Sequence, residues 1–340
     1  MATSPAARRW QRATLIVTIV PFIFFAVIGA GRTSPNTELG IALFFGASMH
    51  VAATGWFVVN PDIRRLARRR PWRFLIIPTS LIVASVIAVG VLSPQWQSRL
   101  LLLFFSWQFF HFQKQNLGVV ALAASSSSMI RLSTWERRWI VGSGCAGILG
   151  LWAHPFLLQL SLHREWRWLW WIGIAGVTAC VIGGVWCLAR RPHGEMRSYF
   201  GALYVSTLFF SAPVFLFHSP YAAVGGMTVA HGLQYLIIVG TFIASPVRGR
   251  RRWERMSAWS NILLFGATCL AVASHFHGAS GFELRTYGLY LGVTMSHFVL
   301  DAGLWRMRDP EVRRIMSLNL PDLVPRSAES LRPTSPADIG

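Results

Sequence analysis

The chain has 340 residues, of which 53% are apolar and only 13% charged, and its formal net charge is +19. A soluble domain of this length needs a charged coat, so the composition excludes one and points to a protein lying mostly within a bilayer. Its arginines cluster in short links between apolar runs, which is the mark of membrane topology; with no soluble basic module to dock a groove, nucleic acid is excluded as a partner.

Windows of about twenty apolar residues predict an all-α, polytopic integral membrane helix bundle of about ten transmembrane helices. In chain order they fall at 13–30, 38–59, 74–93, 98–124, 139–158, 168–189, 198–217, 220–245, 257–276 and 286–305. The first run, after Arg8, Arg9 and Arg12, has some features of a signal peptide but reads as a retained helix because so many spans follow it. Alternate links carry most of the arginines: Arg64 to Arg73, then Arg131, Arg137 and Arg138, then Arg190, Arg191 and Arg197. The series continues with Arg248 to Arg255 and ends with Arg306 to Arg314. That asymmetry predicts both termini in the cytoplasm and a multi-pass protein of the cytoplasmic (inner) membrane, and an even number of spans agrees with it. Residues 1–314 read as one transmembrane domain, and 315–340, rich in Pro and Ser, as a disordered cytoplasmic tail. Cys145, Cys180, Cys187 and Cys269 fall within spans without a CxxC pair and read as small buried hydrophobes.

Four spans carry a histidine at one depth. His50, His111, His231 and His297 each lie about eleven to thirteen residues in from the outer start of their segment. All four segments run in the same direction, so at 1.5 Å per residue the scatter in depth is only about 3 Å. A polar group at mid-bilayer is costly and marks a functional site; four imidazoles on one plane point to a shared metal ion. Three have a polar side chain one turn on, Gln115 after His111, Gln234 after His231 and Asp301 after His297, while Thr54 follows His50. Residues three or four apart share a helix face, so these side chains are expected to fix the imidazoles or relay protons. Asp301 is the one acid in the interior of a span and Lys114 the one lysine of the chain. Lys114 is expected either to neutralise Asp301 across the bundle or to snorkel along its own helix. His154, His163, His218, His275 and His277 fall at or beyond the outer ends of spans and read as interfacial residues or an accessory metal site.

Imidazole suits iron, copper and zinc alike. No HxxxH or HxxHH box is present, which excludes desaturases and membrane hydroxylases of that type. A single plane of histidines is unlike the stacked pairs of haem bundles that carry electrons across a membrane. Non-haem Fe2+ held by four neutral imidazoles fits best, with positions open for dioxygen and a lipid-soluble substrate; copper, zinc and haem stay open. Phe44, Phe45, Trp56, Trp107, Phe109, Phe110, Phe112, Tyr235, Phe298 and Trp305 are candidate apolar walls.

Single histidines in separate helices, with a last-helix H-x-x-x-D from His297 to Asp301, give a pattern that resembles the Brp/Blh family of bacterial and archaeal membrane β-carotene dioxygenases. The resemblance implies central cleavage of a polyene at iron bound by four histidines, which would be His50, His111, His231 and His297. The leading expectation is therefore an iron-dependent membrane oxygenase acting on a carotenoid or other apolar chain, with dioxygen and the bilayer as partners. A transporter or channel for protons or metal ions uses the same midplane residues, and the His50–His111 and His231–His297 spacings of 61 and 66 residues suit a duplicated unit. A haem-binding redox or assembly protein is the third reading.

Overall fold

Helix starts in this chain are written in its Ser-Pro, Asn-Pro and Asp-Pro pairs. The computed structural model describes residues 4–32, 37–127, 129–160, 162, 166–192, 199–245, 252–278 and 280–324. In it Ser4, Asn60 and Asp309 each cap the helix that their following proline opens, accepting backbone N–H groups of the first turn. Proline suits that position because its missing N–H would have had no partner there. Ser133 and Glu136 close a reciprocal capping box instead.

Among the described residues the chain is all helical, without a strand. The helices are α1 (Pro5–Gly29), α2 (Thr37–Ala53), α3 (Gly55–Val59), α4 (Pro61–Arg69), α5 (Ile77–Val91), α6 (Pro94–Ser126), α7 (Thr134–Ala153) and α8 (Trp168–Ala189). They continue with α9 (Tyr199–Leu208), α10 (Pro213–Leu216), α11 (Gly226–Ala244), α12 (Arg252–Asn261), α13 (Ala267–Ser274), α14 (Gly281–Leu304) and α15 (Pro310–Asn319). Wider turns over Trp72–Ile76, Tyr221–Gly225 and Ile262–Gly266 lead into α5, α11 and α13. Among the described residues six segments are long and apolar enough to cross a membrane: Pro5–Gly29, Glu38–Phe57, Trp72–Val91, Trp168–Ala189, Tyr221–Ala244 and Arg252–Ser274.

The patterning is inside out. Ile16, Val20, Ile23 and Val27 on α1, Val83, Ile87 and Val91 on α5, and Ile182 and Trp186 on α8 are exposed, whereas Gln11, Thr14, Gln113, Asn116 and Gln234 are buried. That arrangement suits an apolar solvent and leaves polar groups to pair inside. Close helix contacts use small residues. On α14 a side chain at Gly292 would come within 2.5 Å of the Ile82 Cα, and at Gly288 within 2.6 Å of Val89, so these two glycines let α14 lie directly on α5.

Two expectations are corrected. The segment 198–217 is not one continuous helix: α9 stops at Leu208 and α10 begins at Pro213, because Pro213 has no N–H to continue the ladder and Ser211 donates instead to the Ser143 carbonyl at 2.9 Å. Ten residues rise only about 15 Å. The second correction is the tail. Residues 315–324 are not disordered: Ile315 and Met316 lie on the buried face of α15, and Leu320, Leu323 and Val324 pack behind them. Val312, Ile315 and Met316 are spaced for one helix face, which gives the segment an apolar anchor. The expected tail beyond residue 324 lies outside the described residues.

Described residues beside several of the basic links pack together. One apolar cluster joins Trp10, Ile63, Leu66, Leu132, Leu188, Phe200 and Val312. Arg69 pairs with Glu311 at 3.1 Å, and Arg70 pairs with Asp309, fastening α4 to α15.

Candidate metal centre

The four midplane histidines meet. His50 comes from α2, His111 from α6, His231 from α11 and His297 from α14, and each is at most 8% exposed. Going round the group, ring centroids lie 4.6 Å apart for His50–His231, 5.1 Å for His231–His111, 5.1 Å for His111–His297 and 4.8 Å for His297–His50. A glycine makes one side of this square possible. A side chain at Gly232 would lie 2.7 Å from the Gly46 carbonyl oxygen, so only glycine there lets α11 approach α2 and put His231 beside His50.

The nitrogens are arranged for a cation. Nε2 of His50 and of His231 are 3.2 Å apart. Two imidazole nitrogens each about 2.0–2.1 Å from one metal ion, at right or tetrahedral angles, fall at about that separation. Ligand atoms of His50, His231 and His297 lie within 4.8 Å of one another, and so do those of His111, His297 and Asp301. Nε2 of His111 and of His297 and Nδ1 of His50 and of His231 are buried with no hydrogen-bond partner among the described residues. Buried polar atoms are ordinarily paired, so the open Nε2 of His111 and of His297, with the facing Nε2 pair of His50 and His231, fit one ion that would take them up.

A chain of three hydrogen bonds sits beside the square. Nδ1 of His297 is 2.6 Å from Thr54 Oγ1, Thr54 Oγ1 is 3.0 Å from the Tyr235 hydroxyl, and that hydroxyl donates to Asp301 Oδ1 at 2.8 Å. The carboxylate only accepts, so a consistent direction runs from the His297 Nδ1–H through Thr54 and Tyr235 to Asp301. It leaves the His297 Nε2 with its lone pair free. The opposite tautomer would bury an unpaired Nε2–H. Trp305 hydrogen-bonds to the same phenol and carboxylate.

The other candidates take different places. Gln115 donates to the His231 carbonyl at 2.9 Å and lies 3.4 Å from Gln234 Oε1, and Gln234 donates to Thr18 at 2.8 Å. Both amides therefore bind α6, α11 and α1 to one another, and their recorded bonds do not reach an imidazole. Lys114 is exposed on α6 while Asp301 is 4% exposed and held by Tyr235. The expected ion pair between them is not formed, since Lys114 lies in register with Leu103, Trp107 and Phe110 on the exposed face of α6. Of the expected walls, Phe112 stacks on His231 at 4.1 Å and Phe298 on His111 at 4.6 Å. Phe45 and Phe110 face outward, and the Phe44 side chain lies outside the described residues. Tyr235 was expected only as a wall and supplies a hydroxyl instead. Its signal is H-x-x-x-Y from His231, the same four-residue step as His50 to Thr54 and His297 to Asp301.

The outer histidines form no centre among the described residues. His218 is exposed, His154 sets its ring edge against Trp170 at 4.4 Å, and His275 Nδ1 is 2.7 Å from the Ala271 carbonyl. His163 and the His277 side chain lie outside the described residues, as does His193.

Compared with known proteins, the chain matches no family model, no curated protein and no solved structure.

Proposed function

We propose that this protein is a membrane metalloenzyme, a non-haem iron oxygenase that acts on a carotenoid or other apolar chain at the four-histidine centre. The observation that carries the reading is the convergence of four buried imidazoles from four helices in a bundle whose outer surface is apolar. His50, His111, His231 and His297 would hold the ion. Bound iron would supply electrons and open coordination positions for activating dioxygen. Thr54 and Tyr235 hold the His297 ring in one tautomer and one orientation. Phe112 and Phe298, stacked on two of the imidazoles, keep water from the reacting atoms. Trp107, 36% exposed and 5.5 Å from Phe298, marks the side between α6 and α14 from which an apolar chain would approach.

The same reading places the protein in the cytoplasmic (inner) membrane with both termini inside. The six apolar crossings are then joined by α6, α7, α14 and the broken pair α9 and α10, which makes ten. α6 is the more polar because Gln108, Gln113, Lys114, Gln115 and Asn116 flank His111, and α14 because it carries Glu283, Arg285, Ser296 and Asp301 beside His297.

The deciding experiment is metal analysis with an optical spectrum after mild purification. Iron near one per chain without a Soret band, and dioxygen uptake that depends on an added carotenoid, are expected. A Soret band would instead make it a haem protein, and a preparation that retains no metal would favour transport of protons or metal ions through the same residues.

A further inference from the structure

We infer that Asp301 is a fifth ligand of the same ion, so that the centre is a four-nitrogen, one-oxygen site with a monodentate carboxylate; this rests on the metal centre proposed above. The two oxygens of Asp301 have different surroundings. Oδ1 accepts from the Tyr235 hydroxyl at 2.8 Å. Oδ2 lies 3.7 Å from Nε2 of His297 and 3.8 Å from Nε2 of His111, and neither of those nitrogens has a hydrogen-bond partner among the described residues. Three atoms that can each give a lone pair thus face one another across a gap of a size that an ion would fill.

The geometry points to one ion rather than two. His297 belongs both to the group with His50 and His231 and to the group with His111 and Asp301. A histidine can bridge two ions only by using both ring nitrogens, and Nδ1 of His297 is taken by Thr54 at 2.6 Å. Nε2 alone is free, and one lone pair serves one ion. The two groups are therefore halves of a single site. Its chemistry differs from that of four imidazoles alone. The carboxylate offsets one of the ion's two charges where the surroundings are poorly polarisable. Five protein ligands also exceed the four of a closed tetrahedral zinc site, and they suit an ion that takes five or six ligands, leaving one position for a small molecule.

Cobalt(II) loaded into the purified, metal-stripped full-length protein tests this without activity. Wild type should show the weak visible bands of five- or six-coordinate cobalt. Asp301→Cys should add an intense near-ultraviolet band from thiolate-to-cobalt charge transfer, because residue 301 touches the ion. Bound cobalt in Asp301→Cys without that band would overturn the inference and leave the four-histidine centre standing. Intense tetrahedral bands in wild type would overturn it too, even if the variant failed to fold. Wild type that binds no cobalt would remove the underlying metal centre itself.

Discussion

Two polar clusters lie side by side on α6, and they treat their hydrogen bonds in opposite ways. Gln113, 1% exposed, uses both ends of its amide: Nε2 meets the Ile140 carbonyl at 2.5 Å, Ser143 Oγ at 3.1 Å and the Thr207 carbonyl at 3.0 Å, while Oε1 accepts from Asn116 at 3.3 Å. Two residues earlier His111, just as deeply enclosed, leaves Nε2 with nothing to bond. Arg191 and Glu136 form another closed cluster, with two hydrogen bonds of 2.6 and 3.0 Å and Arg191 Nη1 on the Ile130 carbonyl. An open valence in a buried polar group costs about 1–3 kcal/mol. Single open atoms occur elsewhere, as at Asn116 Oδ1, Ser48 Oγ and the Tyr204 hydroxyl, but at the histidine square open nitrogens from separate helices come together. That convergence, and not the open valence alone, separates residues that hold the bundle from those proposed to act in it.

The largest expected effect breaks the open side. His231→Ala, and likewise Ala at His50, His111 or His297, should lower metal affinity by more than the roughly 10–100-fold typical of groups that merely support a ligand, with yield and melting temperature nearly unchanged. His275→Ala, in an exposed residue of the opposite end, should retain metal. If the four variants bind as wild type does, the square is packing and the comparison fails.

The closed clusters should behave in reverse, losing stability and keeping metal. Glu136→Gln leaves a buried guanidinium without its counter-charge, which costs about 3–5 kcal/mol. The pH dependence has a definite sign. Burial raises the Glu136 pKa, but the hydrogen bonds from Arg191 and Ser133 outweigh it and hold the carboxyl below the usual range. A carboxyl lowered on folding adds stability above its unfolded pKa of about 4.3 and loses it as the pH falls through the folded value. The melting temperature of wild type should therefore drop more steeply between neutral and acid pH than that of Glu136→Gln. For Gln113→Leu the expected loss is about 1–3 kcal/mol, from the Thr207 carbonyl and the Asn116 amide that lose the Gln113 amide as a partner, with metal content unaffected.

Between these extremes stands Thr54. It touches a ligand without being one, so Thr54→Val should keep the fold and weaken metal binding about 10–100-fold by freeing the His297 ring. Full affinity in that variant would show that Thr54 has no hold on the centre through His297.

The sequence made the square of histidines legible because depth along a helix is a matter of counting. What it left open was rotation. Gln234 and Tyr235 both follow His231 by about one turn, and only the seating of α11 against α2 and α14 decides that Tyr235 meets Asp301 while Gln234 meets Thr18. Span counting failed in the same way at 198–217, where the Ser211 hydroxyl bonds across to α7, a contact no hydropathy window contains. Of the basic links, two are seen to meet, where Arg69 and Arg70 pair with Glu311 and Asp309. The amphipathic spacing of α15 was also visible, but its Pro- and Ser-rich continuation masked it.

The smallest expected effect concerns Lys114, and it tests the comparison from outside both clusters. The residue shares an exposed face of α6 with Leu103, Trp107 and Phe110, which are 56%, 36% and 38% exposed. It therefore belongs neither to the closed set nor to the open one. A lysine on an apolar helix face is costly in a bilayer, about 2.5–3.5 kcal/mol at the centre on insertion scales, less where it snorkels. Lys114→Met should leave metal content as it is and hold or slightly raise the melting temperature. If Lys114 were the counter-charge of Asp301, the double variant Lys114→Met, Asp301→Asn would instead be more stable than the two single changes predict. With the two side chains separated, the changes should add within about 0.5 kcal/mol. Thermal melts of the three variants, read against wild type, decide it, and a coupling well beyond that range would bring Lys114 back into the centre.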